Sequence, residues 1–191
     1  MFFEDSLNLD KNSMSELTYI DSAIKEFTYY KKLGEKTFAQ LSDDQLFYQV
    51  NNDSNSIATI VKHLSGNMLS RWTDFLTTDG EKQWRKRDEE FVNDCTTRQA
   101  LLESWEKGWT CLFQALNAIS ASDLSKVIYI RNQAHTVLEA INRQLSHYPY
   151  HIGQIVFIGK MMLEDKWISL SIPKGESIIF NQKLNAQTQH N

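Results

Sequence analysis

Apolar positions recur along this chain at intervals of three and four, the spacing of one face of an α-helix. Four long stretches carry the pattern. Leu17, Ile20, Ile24 and Phe27 trace one face of the first, predicted from about Ser13 to Gln40, and Gly34 weakens its last turns. Leu41-Ser42-Asp43-Asp44 then reads as a loop with capping residues. Ser56 is a natural N-cap for the second helix. There Ile57, Ile60, Val61, Leu64, Met68, Trp72, Phe75 and Leu76 keep helical spacing up to a stop at Asp79-Gly80. Thr96 or Thr97 caps the third, with Leu101, Leu102, Trp105, Trp109, Leu112, Phe113 and Leu116 on its apolar side. The fourth is predicted over about 136–163, with Val137, Ile141, Leu145, Tyr148, Ile152, Ile155 and Met162 as its main apolar face.

Two stretches break the rhythm. Residues 81–95 form a charged connection, long for a helix–helix loop, which points to a function or an embedded short turn. Within it, Lys82 to Arg87 is cationic and Asp88-Glu89-Glu90 follows at once, so the cluster reads as a solvated loop. Val127-Ile128-Tyr129-Ile130 is β-prone and Arg131-Asn132-Gln133 is turn-like, which predicts a small hairpin. The expectation is an all-α fold: a four-helix bundle with a small hairpin before the last helix. It forms one domain over residues 1–191, with a core at about 12–165 and an extended tail over 166–191.

Composition agrees. Hydrophobic residues make up 41% of 191, enough for a globular core, and two prolines and seven glycines favour long helices. The net charge of −4 and the lack of a large basic patch argue against nucleic acid as a partner. Cys95 and Cys111 form no C-x-x-C pair, which fits a reducing cytosol. Met1-Phe2-Phe3-Glu4-Asp5 lacks the basic start of a signal peptide, and no apolar run reaches the ~18 residues of a membrane span. A cytoplasmic location, away from membranes, is therefore expected. Five tryptophans (Trp72, Trp84, Trp105, Trp109, Trp167) are many for a four-helix core to hide, and a homodimer interface is expected to cover some of them.

The candidate chemistry lies in His147-Tyr148-Pro149-Tyr150-His151. Two histidines four apart on a helix share a face, and neutral imidazole is a common ligand for zinc-like ions. His63 and Asn67 form a matching pair on the second helix. Three imidazoles from two facing helices would hold one divalent metal ion and leave positions open, as catalytic sites do. Asn67, Arg71, Arg143, Gln144 and Tyr148 lie near these polar strips and are candidate substrate contacts. The segment is not H-E-x-x-H, because Tyr148 stands where the glutamate would be. Nor is it a di-iron set, because Gln144 and Ile60 stand three residues before His147 and His63. Phosphate-binding glycine loops and a G-x-S-x-G elbow are absent. Pro149 removes one helical hydrogen bond and crowds the Leu145 carbonyl, at ~3 kcal/mol. It is either a tolerated kink or a bend that aims both rings at one ion.

The run Val61-Lys62-His63-Leu64-Ser65-Gly66-Asn67-Met68, the later His147-to-Ile155 segment with its Gly153-Gln154-Ile155, and the helix order resemble the DinB/YfiT-like superfamily. Within it, the resemblance is to the DUF1572 branch, over roughly residues 12–180. It implies a four-helix bundle with a three-histidine metal site on His63, His147 and His151. Members of known activity include thiol-dependent transferases and isomerases that use bacillithiol or mycothiol. The expected function is a metal-dependent thiol transferase or hydrolase acting on a small molecule, with a low-molecular-weight thiol as cosubstrate. Zinc or nickel is the expected metal, and iron or manganese also accepts imidazole. The alternative is a non-catalytic bundle that binds a metal or a partner under stress. A deep cleft over the histidines favours the enzyme; a fourth protein ligand, for which His135 is the nearby candidate, favours structure.

Overall fold

The computed structural model describes residues 4–92, 94 and 96–188, so the reading of Cys95 and that of Met1-Phe2-Phe3 fall outside the described residues. The described chain is mostly helical. In order it runs α1 (Glu4–Phe38), α2 (Asp43–Phe47), α3 (Ile57–Trp72), α4 (Arg98–Asn117), β1 (Val127–Ile130), β2 (Gln133–Thr136), α5 (Val137–Leu163) and α6 (Ser177–Thr188). The starts are capped as the sequence suggests. Ser56 Oγ accepts from the Thr59 N–H at the head of α3, and Thr97 Oγ1 from the Ala100 N–H at the head of α4. Thr136 and Glu139 cap α5 reciprocally. Ser42 does the same with Gln45, which turns the expected loop into the short α2.

Helix α3 packs on α4 and α1 on α5, with further contacts between α3 and α5 and between α1 and α4. Their shared interior holds Phe27, Trp105, Trp109, Leu112, Tyr148 and Ile152. Trp105 meets Phe38 edge-on at 5.0 Å and Trp109 at 5.4 Å. Trp72, Trp105 and Trp109 are thus hidden inside a single chain. For these three the argument that surplus indoles need a partner subunit loses its ground; Trp84 is exposed.

Three segments depart from the expectation. Helix α1 begins at Glu4 and ends at Phe38, rather than spanning about 13–40. Helix α3 stops at Trp72 rather than at Asp79-Gly80, because Thr73 is extended and Asp74 takes a positive φ of 47°. The apolar spacing continues past the break because Phe75 still turns inward, 5.2 Å from the Trp72 ring. The tail is not wholly extended. Pro173 and Gly175, the latter at φ 88°, interrupt it, and the breaker-free stretch beyond them forms α6.

The hairpin forms as expected, with Val127 opposite Thr136 and Ile130 opposite Gln133. Its two turn residues, Arg131 and Asn132, have φ of 55° and 60°, the left-handed pair of a tight two-residue hairpin turn. Asp79 holds that turn: Oδ1 accepts the Arg131 N–H at 2.9 Å and Oδ2 the Asn132 N–H at 2.8 Å. The Gly80 N–H donates to the Tyr129 carbonyl at 2.8 Å. The segment after α3 therefore docks the hairpin and brings Arg131 beside the end of that helix. Among the described residues, no helix is long and apolar enough to cross a membrane.

Candidate metal centre

Helix α3 contributes His63 and α5 contributes His147 and His151. Helix α5 runs unbroken through Pro149, and its two rings lie 4.8 Å apart between centroids. One ring nitrogen from each of the three lies within 4.8 Å of those of the other two. The Nε2 atoms of His63 and His147 are 3.4 Å apart, and those of His147 and His151 are 3.2 Å apart. Two ligand nitrogens at ~2.0–2.1 Å from a tetrahedral ion would be about 3.3 Å apart.

The opposite side of each ring explains why Nε2 points inward. His63 Nδ1 donates to Glu90 Oε2 at 2.9 Å, His147 Nδ1 to Gln144 Oε1 at 3.2 Å, and His151 Nδ1 to Gln154 Oε1 at 2.8 Å. Each Nδ1 therefore carries the proton, and each Nε2 presents its lone pair. Three lone pairs face one another, an arrangement that a cation satisfies and that unliganded imidazoles do not. The group could hold a metal ion. Burial, then the His151 and His63 rings and the Arg71 and Arg143 charges, pulls the pKa of His147 down to about 3. Burial also lowers that of His151. Both are neutral at physiological pH, the form that binds metal.

Sequence reasoning missed the Glu90–Arg85 element. A 3-10 turn at Arg87–Phe91 in the connection brings Glu90 over α3 and stacks Phe91 on His63 at 4.9 Å. Arg85 grips Glu90 with two bonds, Nε to Oε1 at 2.7 Å and Nη2 to Oε2 at 2.9 Å. The Arg85 side chain is 1% exposed and that of Glu90 7%. The stretch read as a solvated loop thus contains a buried ion pair. Burial alone would raise the Glu90 carboxyl, but the bonds from His63 and Arg85 outweigh it and hold the group below the usual carboxylate range. Gly66 makes room: a Cβ there would overlap the Glu90 carboxylate.

A cavity of about 430 Å³ opens against His63 and His147. Asn67, Arg71, Arg143 and Gln144, four of the five expected substrate contacts, line it. Tyr148 is placed elsewhere. Its ring is fully buried, its hydroxyl donates to Asn67 Oδ1 at 3.1 Å, and it accepts from Trp72 Nε1 at 3.0 Å. It braces the cavity wall without lining it. Burial raises its pKa, so it stays protonated. His135 lies on β2 and is not one of the three clustered histidines.

The sequence profile of a family described as "Protein of unknown function (DUF1572)" matches residues 14–176. The chain belongs to the DUF1572 family. No curated protein matches it. A DUF1572 description assigns no reaction, so the chemistry rests on the residues around the three imidazoles.

Proposed function

We propose that His63, His147 and His151 hold one divalent metal ion and that the protein is a metal-dependent enzyme acting on a small molecule. The observation that carries this reading is the convergence of three Nε2 lone pairs, each fixed by an Nδ1–H···O bond behind it. Zinc or nickel fits a three-imidazole set, and iron or manganese is accepted. When bound, such an ion supplies Lewis-acid chemistry, polarising an oxygen or sulfur group and favouring loss of its proton. The packing of α1, α3, α4 and α5 supports a DinB-like four-helix bundle as the frame.

The chain's own residues have separable tasks. Glu90, Gln144 and Gln154 fix the imidazole tautomers and orientation. The cavity admits a small molecule beside two of the three histidines, and Asn67, Arg143 and Gln144 orient it. No carboxylate lines the cavity, and its histidines, protonated at Nδ1 and turned to the ion at Nε2, leave no free side-chain base among the described residues, so proton loss from a bound group rests on the ion. The clustered set contains no fourth ligand among the described residues, which supports the catalytic reading over a closed structural site.

Thiol transfer is the leading specific reaction. Cys111, the free cysteine among the described residues, sits on α4 against the Thr73 hydroxyl and outside the cavity lining. A thiol nucleophile would therefore arrive as a diffusible cosubstrate. The test is metal analysis of untagged protein, followed by conjugation assays with bacillithiol, glutathione or cysteine and a chloro-aromatic or bimane electrophile. Turnover should vanish on chelation and return with added zinc, nickel or manganese. Blank thiol, ester, amide and phosphoester panels with metal-loaded protein would leave a non-catalytic metal-binding protein.

A further inference from the structure

The cavity beside the histidines is strongly cationic in a chain of net charge −4. Five guanidinium groups line it, from four separate segments: Arg71 from α3, Arg85 and Arg87 from the connection, Arg131 from the hairpin turn and Arg143 from α5. Two of the five are neutralised. Arg85 is held by Glu90 and Glu81, and Arg131 by Glu81 at 3.2 Å. Asp79 spends its carboxylate on backbone N–H groups of Glu81, Arg131 and Asn132.

Arg71 is different. The residue is 4% exposed, and its Nε and Nη1 are buried with no hydrogen-bond partner. It is packed tightly, since a Cβ on Gly80 would come within 2.7 Å of Nη1. A guanidinium keeps its charge at neutral pH, and with Nε and Nη1 closed off, Nη2 is the nitrogen left to donate to an anion in the cavity. Buried cations are ordinarily paired; Asp79 and Glu81 lie near enough to act on this one through space, but among the described residues no carboxylate comes within ion-pair distance of it. Arg143 and Arg87, both exposed at the cavity, add positive charge around it.

We infer that this cavity binds the oxyanion group of a small-molecule substrate, a carboxylate or a phosphate, with Arg71 as its buried anchor and Arg143 and Arg87 as its outer contacts. Anchoring there sets the rest of the substrate beside His63 and His147. This deepens the reading of the three histidines as a metal site, on which it relies only for the identity of the bound molecule as substrate.

Isothermal titration calorimetry on the full chain tests it, with metal-free and zinc-loaded protein at constant ionic strength. The titrants are succinate, inorganic phosphate and the neutral succinamide. One or both anions should bind and succinamide should not, and the tighter of the two identifies the group. Arg71→Met should weaken the anion by roughly 10- to 100-fold, the loss expected for a charged hydrogen-bonded contact. Zinc stoichiometry, read separately by chelator competition, should be unchanged. The proposal is overturned if both anions bind no better than succinamide, or if Arg71→Met binds them as wild type does. Where circular dichroism shows Arg71→Met unfolded, the double variant Arg87→Gln, Arg143→Gln decides: weaker anion binding upholds the proposal and unchanged binding overturns it. Anion binding without zinc binding would remove the metal reading and leave this one, and the converse would do the reverse.

Discussion

Glu90 and His63 are 27 residues apart in sequence, yet the Glu90 carboxylate accepts the His63 Nδ1 proton at 2.9 Å inside the protein. Through this bond a residue of an irregular connection sets the tautomer of a histidine on α3. Replacing Glu90 by Gln should therefore lower zinc affinity by roughly 10- to 100-fold, the usual cost of losing a carboxylate behind a ligand imidazole. It also leaves Arg85 with Glu81 as its one counter-charge among the described residues, so the cost should stay below the about 3–5 kcal/mol of stranding a buried charge outright. A chromophoric chelator titration and a urea melt read the two effects. Wild-type zinc affinity in Glu90→Gln would show that the bond is incidental.

The Gly66→Ala variant separates the site from helix propensity. Alanine inside a helix normally gains about 1 kcal/mol over glycine. Here its Cβ would displace the Glu90 carboxylate from His63 and Arg85. The expected outcome is a lower urea midpoint together with weaker zinc binding. A more stable protein with intact affinity would count against the contact.

His63→Ala should reduce bound metal well below one equivalent while the far-ultraviolet circular dichroism stays helical. His147→Ala and His151→Ala should do the same, each with loss of any metal-dependent turnover. Plasma emission spectrometry on untagged protein is the measurement, and full stoichiometry in any single variant would break the three-ligand assignment.

Metal-free protein should lose stability in acid in a defined window. The His147 pKa is depressed to about 3 in the folded chain, against an ordinary value near 6.5. As pH falls through about 6.5, the unfolded chain takes up a proton that the native site refuses until about 3. The stability is therefore complete above 6.5 and is lost progressively towards pH 3, and His151 shifts in the same direction. Urea midpoints of chelated wild type and His147→Asn, compared between pH 7.5 and 4.5, should diverge by the slope of one proton. Parallel profiles would contradict the depressed value.

Tyr148→Phe tests the brace beneath the cavity. It leaves the buried Trp72 Nε1 without its acceptor and frees the Asn67 amide. Stranding a buried donor costs about 1–3 kcal/mol, so the thermal midpoint should drop with little change in zinc stoichiometry.

The sequence made much of this legible, for identifiable reasons. His147 and His151 announce themselves because a four-residue spacing on a strongly periodic helix fixes their common face. His63 is found through the second periodic stretch. Glu90 and Arg85 escape because their segment has no period, and because Asp88-Glu89-Glu90 after a cationic run has the composition of a solvated loop. Only burial tells Glu90 from Glu89, and burial is a tertiary fact. The premature end of α3 was hidden by Phe75, an inward apolar residue that keeps helical spacing after the backbone has turned. Tyr148 read as a contact because it flanks His147, but one residue along a helix turns a side chain by about 100°, here into the core.

The dependence of His63 on the connection gives the site an outward signal. Whatever occupies the three imidazoles and favours the His63 Nδ1–Glu90 bond must also favour the folded Arg87–Phe91 turn over its local unfolding, since linked equilibria act in both directions. Lys86 and Arg87 stand exposed at the start of that turn, where trypsin cuts. Metal loading would then be written into the rate at which this one loop is nicked, and limited proteolysis would report occupancy of a centre that has no colour of its own when it holds zinc.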